Sequence, residues 1–262
     1  MFKTPTLAAI FLFCFSSTIL AEEFQFVDST FCPFICDPVV EGREGFVIDI
    51  LRDALATQNH TMNFTIVPYK RALSMVRSGE AHALPDIYQA DAPDLIIGNA
   101  VLRFGNNQFF VRQDFKWRYT SSDSWNEIMI GVVDGYTFAH KEFDEYLKKQ
   151  KENPNSKVLF IGGEHAYTRL IKLLLSNRID AIVDDKAFIQ YELARFNREN
   201  NNENIVSVVS AGTLSTAGQH VVAYSPEHPE TAKLLMEIID PFVTNLYLTG
   251  EIDTYLTPYG ID

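Results

Sequence analysis

Apolar and polar positions along the chain repeat with two periods. Residues 24–28 alternate like a first strand, and 47–56 carry apolar residues at helical spacing. Residues 62–67 form a second strand stopped by Pro68. A helix over 69–76 and a strand over 81–84 complete βαβαβ, the signature of a parallel sheet with right-handed crossovers. Further strand candidates lie at 95–98 and 109–112. The polar run 119–124 reads as the passage into a second lobe. The pattern restarts at 128–133, continues through a helix over 138–146, a strand over 157–161, a helix over 167–175, a strand over 179–183 and a helix over 186–195. A surface turn at 200–204, strands over 205–209 and 220–224, and helices over 231–248 and 252–256 close the chain. The last helices have no sheet of their own to cover, so they are expected to return to the first lobe. The expected division is 22–113 with 218–262 for lobe one, and 114–217 for lobe two. Two crossings between lobes make a hinge, an arrangement suited to closing on a ligand.

One stretch is echoed. Arg77-Ser78-Gly79-Glu80-Ala81-His82-Ala83-Leu84-Pro85-Asp86 returns as Leu175-Ser176-Asn177-Arg178-Ile179-Asp180-Ala181-Ile182-Val183-Asp184. In both copies a helical stripe ends at a small polar pair, a short apolar strand follows, and an aspartate closes it. Gly79 and Asn177 stand where a helix takes a left-handed residue after its last turn. Strands this short and apolar suit buried parallel positions. Ligands of open α/β sheets bind beyond the carboxyl ends of the strands. The echo therefore points to two similar lobes, each aiming a carboxylate (Asp86, Asp184) at one crevice.

Charge and cysteines narrow the class. Acidic residues outnumber basic ones 34 to 22, for a net charge of −12. Such a surface repels phosphate backbones and excludes nucleic acid as the expected partner. Lys3, the apolar run 7–15 and the small residues before Glu22 read as a signal peptide over 1–21, which places the mature protein in the periplasm. An uncleaved N-terminal anchor is the alternative. Export leaves Cys32 and Cys36, a close pair expected to form a local disulfide, with free thiols or a metal site as the alternatives. No cofactor is expected, and no histidine or cysteine spacing calls for a metal. There is no nucleophile elbow, His-Glu-x-x-His pair or phosphate loop either.

Several stretches, in this order and spacing, resemble the periplasmic solute-binding proteins of family 3, which serve polar amino acid uptake. They are Glu44-Gly45-Phe46-Val47-Ile48-Asp49-Ile50, Pro68-Tyr69-Lys70-Arg71-Ala72-Leu73, Ile130-Gly131-Val132-Val133-Asp134-Gly135-Tyr136, Arg178-Ile179-Asp180-Ala181-Ile182-Val183-Asp184-Asp185, and the ending Tyr259-Gly260-Ile261-Asp262. The resemblance covers most of 24–262 and is strongest to a less-characterised branch found without adjoining transport components. It implies a two-lobed α/β fold, two parallel or mixed sheets joined by a two-strand hinge, and a small solute captured between the lobes of a monomer. An ABC transporter permease or a membrane sensor would be its partner.

The resemblance places a ligand ammonium on Asp185, with Asp184 beside it. Capping of the helix that begins at Lys186 is the competing role for either residue. It places a ligand carboxylate on the backbone of the turn at Gly135, where Tyr136 replaces the small hydroxyl residue usual in amino acid binders. The Thr-x-x-Arg carboxylate clamp of such binders is absent after Asp86. Arg71 or Arg103 would have to substitute, and a solvated or salt-bridged surface role competes for Arg71. Phe31, Phe34, Tyr88, Trp117, Tyr119 and Tyr136 lie in loops near expected strand ends. Of these rings, Trp117 is expected beside the hinge as the stacking surface, with Tyr88 and Tyr136 also in the cleft. The expected function is capture of a small polar or cationic, amino-acid-like solute without turnover. A periplasmic enzyme on the same fold, of the cyclohexadienyl dehydratase kind, is the alternative, with the paired aspartates as acid and base.

Overall fold

A computed structural model describes residues 21–163, 166–200, 205–216, 218–259 and 261. The expected signal segment before Ala21 and the polar turn at 201–204 lie outside the described residues. In chain order the first part contains β1 (Glu23–Asp28), α1 (Pro38–Glu41), α2 (Phe46–Ala56), β2 (Thr61–Ile66), α3 (Tyr69–Arg77), β3 (Ala83–Tyr88), β4 (Ile96–Ile97) and β5 (Arg103–Phe104). The middle contains β6 (Asn107–Arg112), β7 (Ile130–Val133), α4 (Lys141–Lys151), β8 (Val158–Ile161), α5 (Ala166–Leu175), β9 (Ala181–Asp185), α6 (Lys186–Glu199) and β10 (Val208–Ser215). The chain ends with β11 (Gln219–Tyr224), α7 (Pro229–Thr249) and α8 (Asp253–Leu256).

These strands form two mixed sheets. One runs β2-β1-β3-β11-β4, with β5 also paired to β11; the other runs β10-β6-β9-β7-β8. The βαβ units give the parallel pairs, β1 with β2 and β7 with β8, while β11 and β6 enter antiparallel. Sheet membership changes at Asn107, so β6 pairs within the second sheet rather than the first, where the 113/114 boundary had placed it. Its alternating Phe109, Phe110 and Val111 announce a strand but not which sheet receives it.

Each sheet is covered on both faces, which explains the continuous apolar runs of its central strands. On the first sheet, Ala72, Met75 and Val76 of α3 pack against Val27, Leu84 and Val221. The opposite face carries α2, against which α7 and α8 pack, with Leu235, Ile239 and Val243 among the buried residues. In the second sheet the pleat divides neighbours between faces. Phe109, Val111, Ala181 and Val183 meet Phe143 and Trp125, whereas Phe110 and Ile182 share a core with Leu170 and Leu174 of α5.

The echo is structural. Gly79 (φ 77°) and Asn177 (φ 56°) both end a helix in the left-handed conformation, and β3 and β9 follow at the same offset. The helix expected from 138 begins only at Lys141. Ala139 takes a positive φ of 50°, and His140 caps α4 by accepting the Phe143 amide on Nδ1. The Cys32–Cys36 disulfide closes the loop after β1, where the Phe31 and Ile35 backbones bridge.

The chain crosses between sheets twice, at Gly105-Asn106 and between Ser215 and Gln219. The Gly105 amide donates to the Gly218 carbonyl at 2.7 Å and ties the crossings together. The Tyr88 ring lies against both glycines. A Cβ on Gly105 would sit 2.8 Å from its hydroxyl, and one on Gly218 would overlap the ring itself.

Candidate functional site

Between the sheets lies a cavity of about 100 Å³, walled by both lobes. Asp28 ends β1, Asp86 lies in β3 two residues before its end, and Asp184 stands one residue before the end of β9. This is the geometry that the strand-end rule anticipates. Asp91 stands at the mouth, where Thr137 of the second lobe donates to it at 2.8 Å. Rings of Phe31, Tyr69, Tyr88 and Tyr136 complete much of the wall, together with Arg103, Asn107 and His220.

The four carboxylates are not equivalent. Asp28 is 3% exposed; its Oδ1 accepts the Ser29 amide at 2.7 Å, while Oδ2 has no hydrogen-bond partner among the described residues. Burial therefore drives its pKa well above the ordinary carboxylate value. Asp86 is the opposite case. Burial acts to raise its pKa, but Arg103 and His220 outweigh burial and hold it well below the usual range. Arg103 Nε and Nη2 lie 3.0 and 2.9 Å from Asp86 Oδ2, and His220 Nδ1 lies 2.6 Å from Oδ1. Burial keeps the His220 pKa below its ordinary value despite that contact.

Asp184 is pushed up to about 7, chiefly by burial, against the lowering effect of a hydrogen bond from the Tyr167 hydroxyl. The adjoining Asp185 charge adds to the rise. Near neutral pH this carboxyl is poised between its two states, and a cation in the cavity would favour the charged one.

Asp185 does not face this cavity. Its Oδ1 caps α6 through the Ala187 amide at 2.9 Å and the Phe188 amide at 3.4 Å. Its Oδ2 accepts the Asn106 amide at 2.9 Å and lies 3.6 Å from Arg103 Nη1. The two aspartates thus divide the roles: Asp185 caps, and Asp184 lines the cleft. Successive residues of a strand point to opposite faces, so only one of the pair can do either.

The other expected residues separate in the same way. Gly135 and Tyr136 line the cavity, and Gly135 holds a φ of 90°. The turn is not the start of a helix, however. Residues 137–140 intervene before α4, and the Tyr136 amide is directed to the Val133 carbonyl at 3.4 Å. Tyr88 lines the cavity and accepts a hydrogen bond from Asn107 Nδ2 at 3.1 Å, with its ring 3.9 Å from that of His220. Trp117 is elsewhere. It packs edge-on to Phe109 in the second lobe's core and donates to Glu127, because the Tyr119 amide ties this segment to Ala211 at the sheet edge. Arg71 is an exposed residue on α3, away from the cavity wall.

Arg103, Asp28, Tyr69, Asn107 and His220 are the residues that the sequence reading undervalued. Asp28 carried a usable signal, since it ends β1; Asp86 does not close its strand as expected, because β3 continues through Ile87 and Tyr88, which pair with β11. Arg103 and His220 sit on a pairing of only two residues, β5 with β11, too short for periodicity to reveal.

The cleft continues outward into a wider space of about 770 Å³ that shares Ser29, Tyr69, Gly135 and Tyr136 with the inner cavity. Phe31 bridges the lobes above it, stacked on Phe188 at 4.2 Å and edge-on to Tyr136 at 6.2 Å. Among the described residues no group of three or more His, Cys, Asp or Glu side chains is arranged to hold a metal ion, and no helix is long and apolar enough to cross a membrane.

No family model matches the chain, and no curated protein matches it. Solved structures do. An arginine 3rd transport system periplasmic binding protein from Legionella pneumophila superimposes with a TM-score of 0.66 at 16% identity, covering 91% of this chain and 100% of that one. An amino acid ABC transporter substrate-binding protein from Streptococcus pneumoniae, bound to L-arginine, gives 0.65 at 17% identity over 91% and 94%. An ancestral amino-acid-binding protein described as a precursor of cyclohexadienyl dehydratase gives 0.64 at 16% identity over 90% and 94%. At these identities the likeness is one of architecture: the chain has the two-lobed α/β fold of periplasmic substrate-binding proteins.

Proposed function

We propose that the chain captures a small organic cation, one bearing an amine or guanidine group, in the cavity between its lobes. The supporting observation is the cavity's excess of acidic over basic side chains. Four carboxylates and one guanidinium line it, and that guanidinium is already engaged by Asp86 and Asp185. A solute carboxylate would have to compete with Asp86 for Arg103, whose Nε is hydrogen-bonded to it, and would meet Asp28, Asp91 and Asp184. A solute cation finds those three carboxylates and the faces of Tyr69, Tyr88 and Tyr136. Closure follows because the solute touches both lobes only in the closed state, so its extra contacts shift the population toward that state. The protein then acts in the periplasm as the soluble component of an uptake system or a sensor. Arginine- and amino-acid-binding proteins among the structural neighbours support this reading. A thermal-shift screen over arginine, agmatine, putrescine, glutamine and glutamate tests it. The amines and guanidines are expected to raise the melting temperature and glutamate to leave it unchanged. Stabilisation by glutamate alone would sink the reading.

A second reading rests on Asp184. A carboxyl that keeps its proton near neutral pH, beside the Tyr167 hydroxyl, is suited to general-acid work, and one structural neighbour is a dehydratase precursor. Incubation with cyclohexadienyl acids and detection of an aromatic product tests for turnover; no product is expected if the cleft only binds.

A further inference from the structure

Arg103 is only 5% exposed at the hinge end of the cleft. Its guanidinium carbon lies over the Phe34 ring, 3.7 Å from the centroid. Nη2 and Nε lie 2.9 and 3.0 Å from Asp86 of the first lobe, and Nη1 lies 3.6 Å from Asp185 of the second, an ion-pair distance without a hydrogen bond. Arg103 itself belongs to β5, in the first sheet, so the contact with Asp185 spans the crossing between sheets. Asn106, inside that crossing, gives its amide to the same Asp185 oxygen. A buried charge is tolerated only when paired, and a buried carboxylate likewise. The planar fork of arginine reaches two carboxylates at once, which a lysine ammonium on the same path does not.

We propose that Arg103 is a resident cation. It stands where Asp86 of the first lobe and Asp185 of the second approach a single cation, confines a captured solute's charged group to Asp28, Asp91 and Asp184, and sets the angle at which the hinge rests. The confinement rests on the cation-binding reading above; the hinge role stands without it. Arg103 is a specificity-determining residue in this sense: it removes Asp86 from competition for the ligand.

Chemical rescue tests the proposal without knowledge of the natural solute. Arg103→Ala leaves a guanidinium-shaped space flanked by two carboxylates and an aromatic face. Millimolar guanidinium is expected to raise the melting temperature of that variant, binding it at least about tenfold more tightly than it binds the wild type. Urea, the neutral isostere, is expected not to do so. Arg103→Lys should remain destabilised and gain nothing from guanidinium. If Arg103→Ala folds only when guanidinium is present during refolding, that is the same result read earlier. Equal responses of wild type and Arg103→Ala, or no response of either, would overturn the proposal. Asp185→Asn provides the second arm, because asparagine keeps the helix cap and removes the charge. Its radius of gyration by small-angle scattering, without solute, is expected to exceed that of the wild type. An unchanged radius would overturn the hinge role. Rescue with no solute in the panel bound would instead remove the cation-binding reading and leave Arg103's pairing intact.

Discussion

At the scale of single residues, Asp184 couples the cleft to pH. Its pKa in the folded chain, about 7, lies above the unfolded value of roughly 3.9. The folded state therefore holds this proton longer. The stability it contributes is complete below about pH 4 and is lost as the pH climbs toward 7. Asp184→Asn is expected to lose less melting temperature between pH 5 and pH 8 than the wild type, measured by calorimetry. Its cation binding should suffer in the opposite sense, by about 1.5–3 kcal/mol, because a charge-assisted contact is gone. In the wild type, affinity for a guanidino solute should rise from pH 6 to pH 8 and then level off. Titration in two buffers of different ionisation heat would show the accompanying proton release, and a flat profile would refute the role. Much of this was legible in the chain. The echo singled out Asp86 and Asp184, which both line the cavity, although Asp86 lies inside β3 rather than at its end. The sequence could not say which of Asp184 and Asp185 faces inward, because adjacent strand residues are chemically alike and differ only in the side of the pleat they take.

At the scale of elements, two devices hold the cleft in shape. The first is the crossing itself, where Tyr88 stands against Gly105 and Gly218. Gly218→Ala has no room for its methyl group unless Tyr88 moves. It should cost about 1–3 kcal/mol in denaturant unfolding and weaken solute binding through the displaced ring, whereas Trp117→Ala should leave affinity unchanged. Equal affinity in Gly218→Ala and wild type would show that Tyr88 is not held by the hinge. The second device is the Cys32–Cys36 loop, which presents Phe31 to Phe188 across the cleft and Phe34 to Arg103. Opening so small a loop should cost about 2 kcal/mol without unfolding the chain, as judged by denaturant midpoints of the double serine variant. Most long elements were readable from periodicity, since their apolar stripes are wide. The start of α4 was not, because the positive φ of Ala139 is imposed by packing around Phe138, whose amide is held by Asp144, rather than by a glycine. Nor was β5, whose two residues derive their place from pairing with β11.

At the scale of the whole molecule, the two sheets were foreseeable from repeated βα patterns, and the returning C-terminal helices from the lack of another sheet to cover. The sheet that receives β6 was not, because partner choice depends on which chain segments the crossings bring together. The negative charge of the chain continues into the cleft, where long-range attraction of a cationic solute speeds encounter and weakens with salt. Association rates for an amine solute should therefore fall as ionic strength rises, while dissociation rates change little; stopped-flow fluorescence would separate the two. The central claim is narrower: a cation is held between the lobes while Arg103 stays where it is. A crystal structure with the most stabilising amine or guanidine solute decides it. The account predicts the solute's charged nitrogen among Asp28, Asp91 and Asp184, with Arg103 still bonded to Asp86. A solute carboxylate found on Arg103 in place of Asp86, or a solute bound outside the cleft, would contradict it.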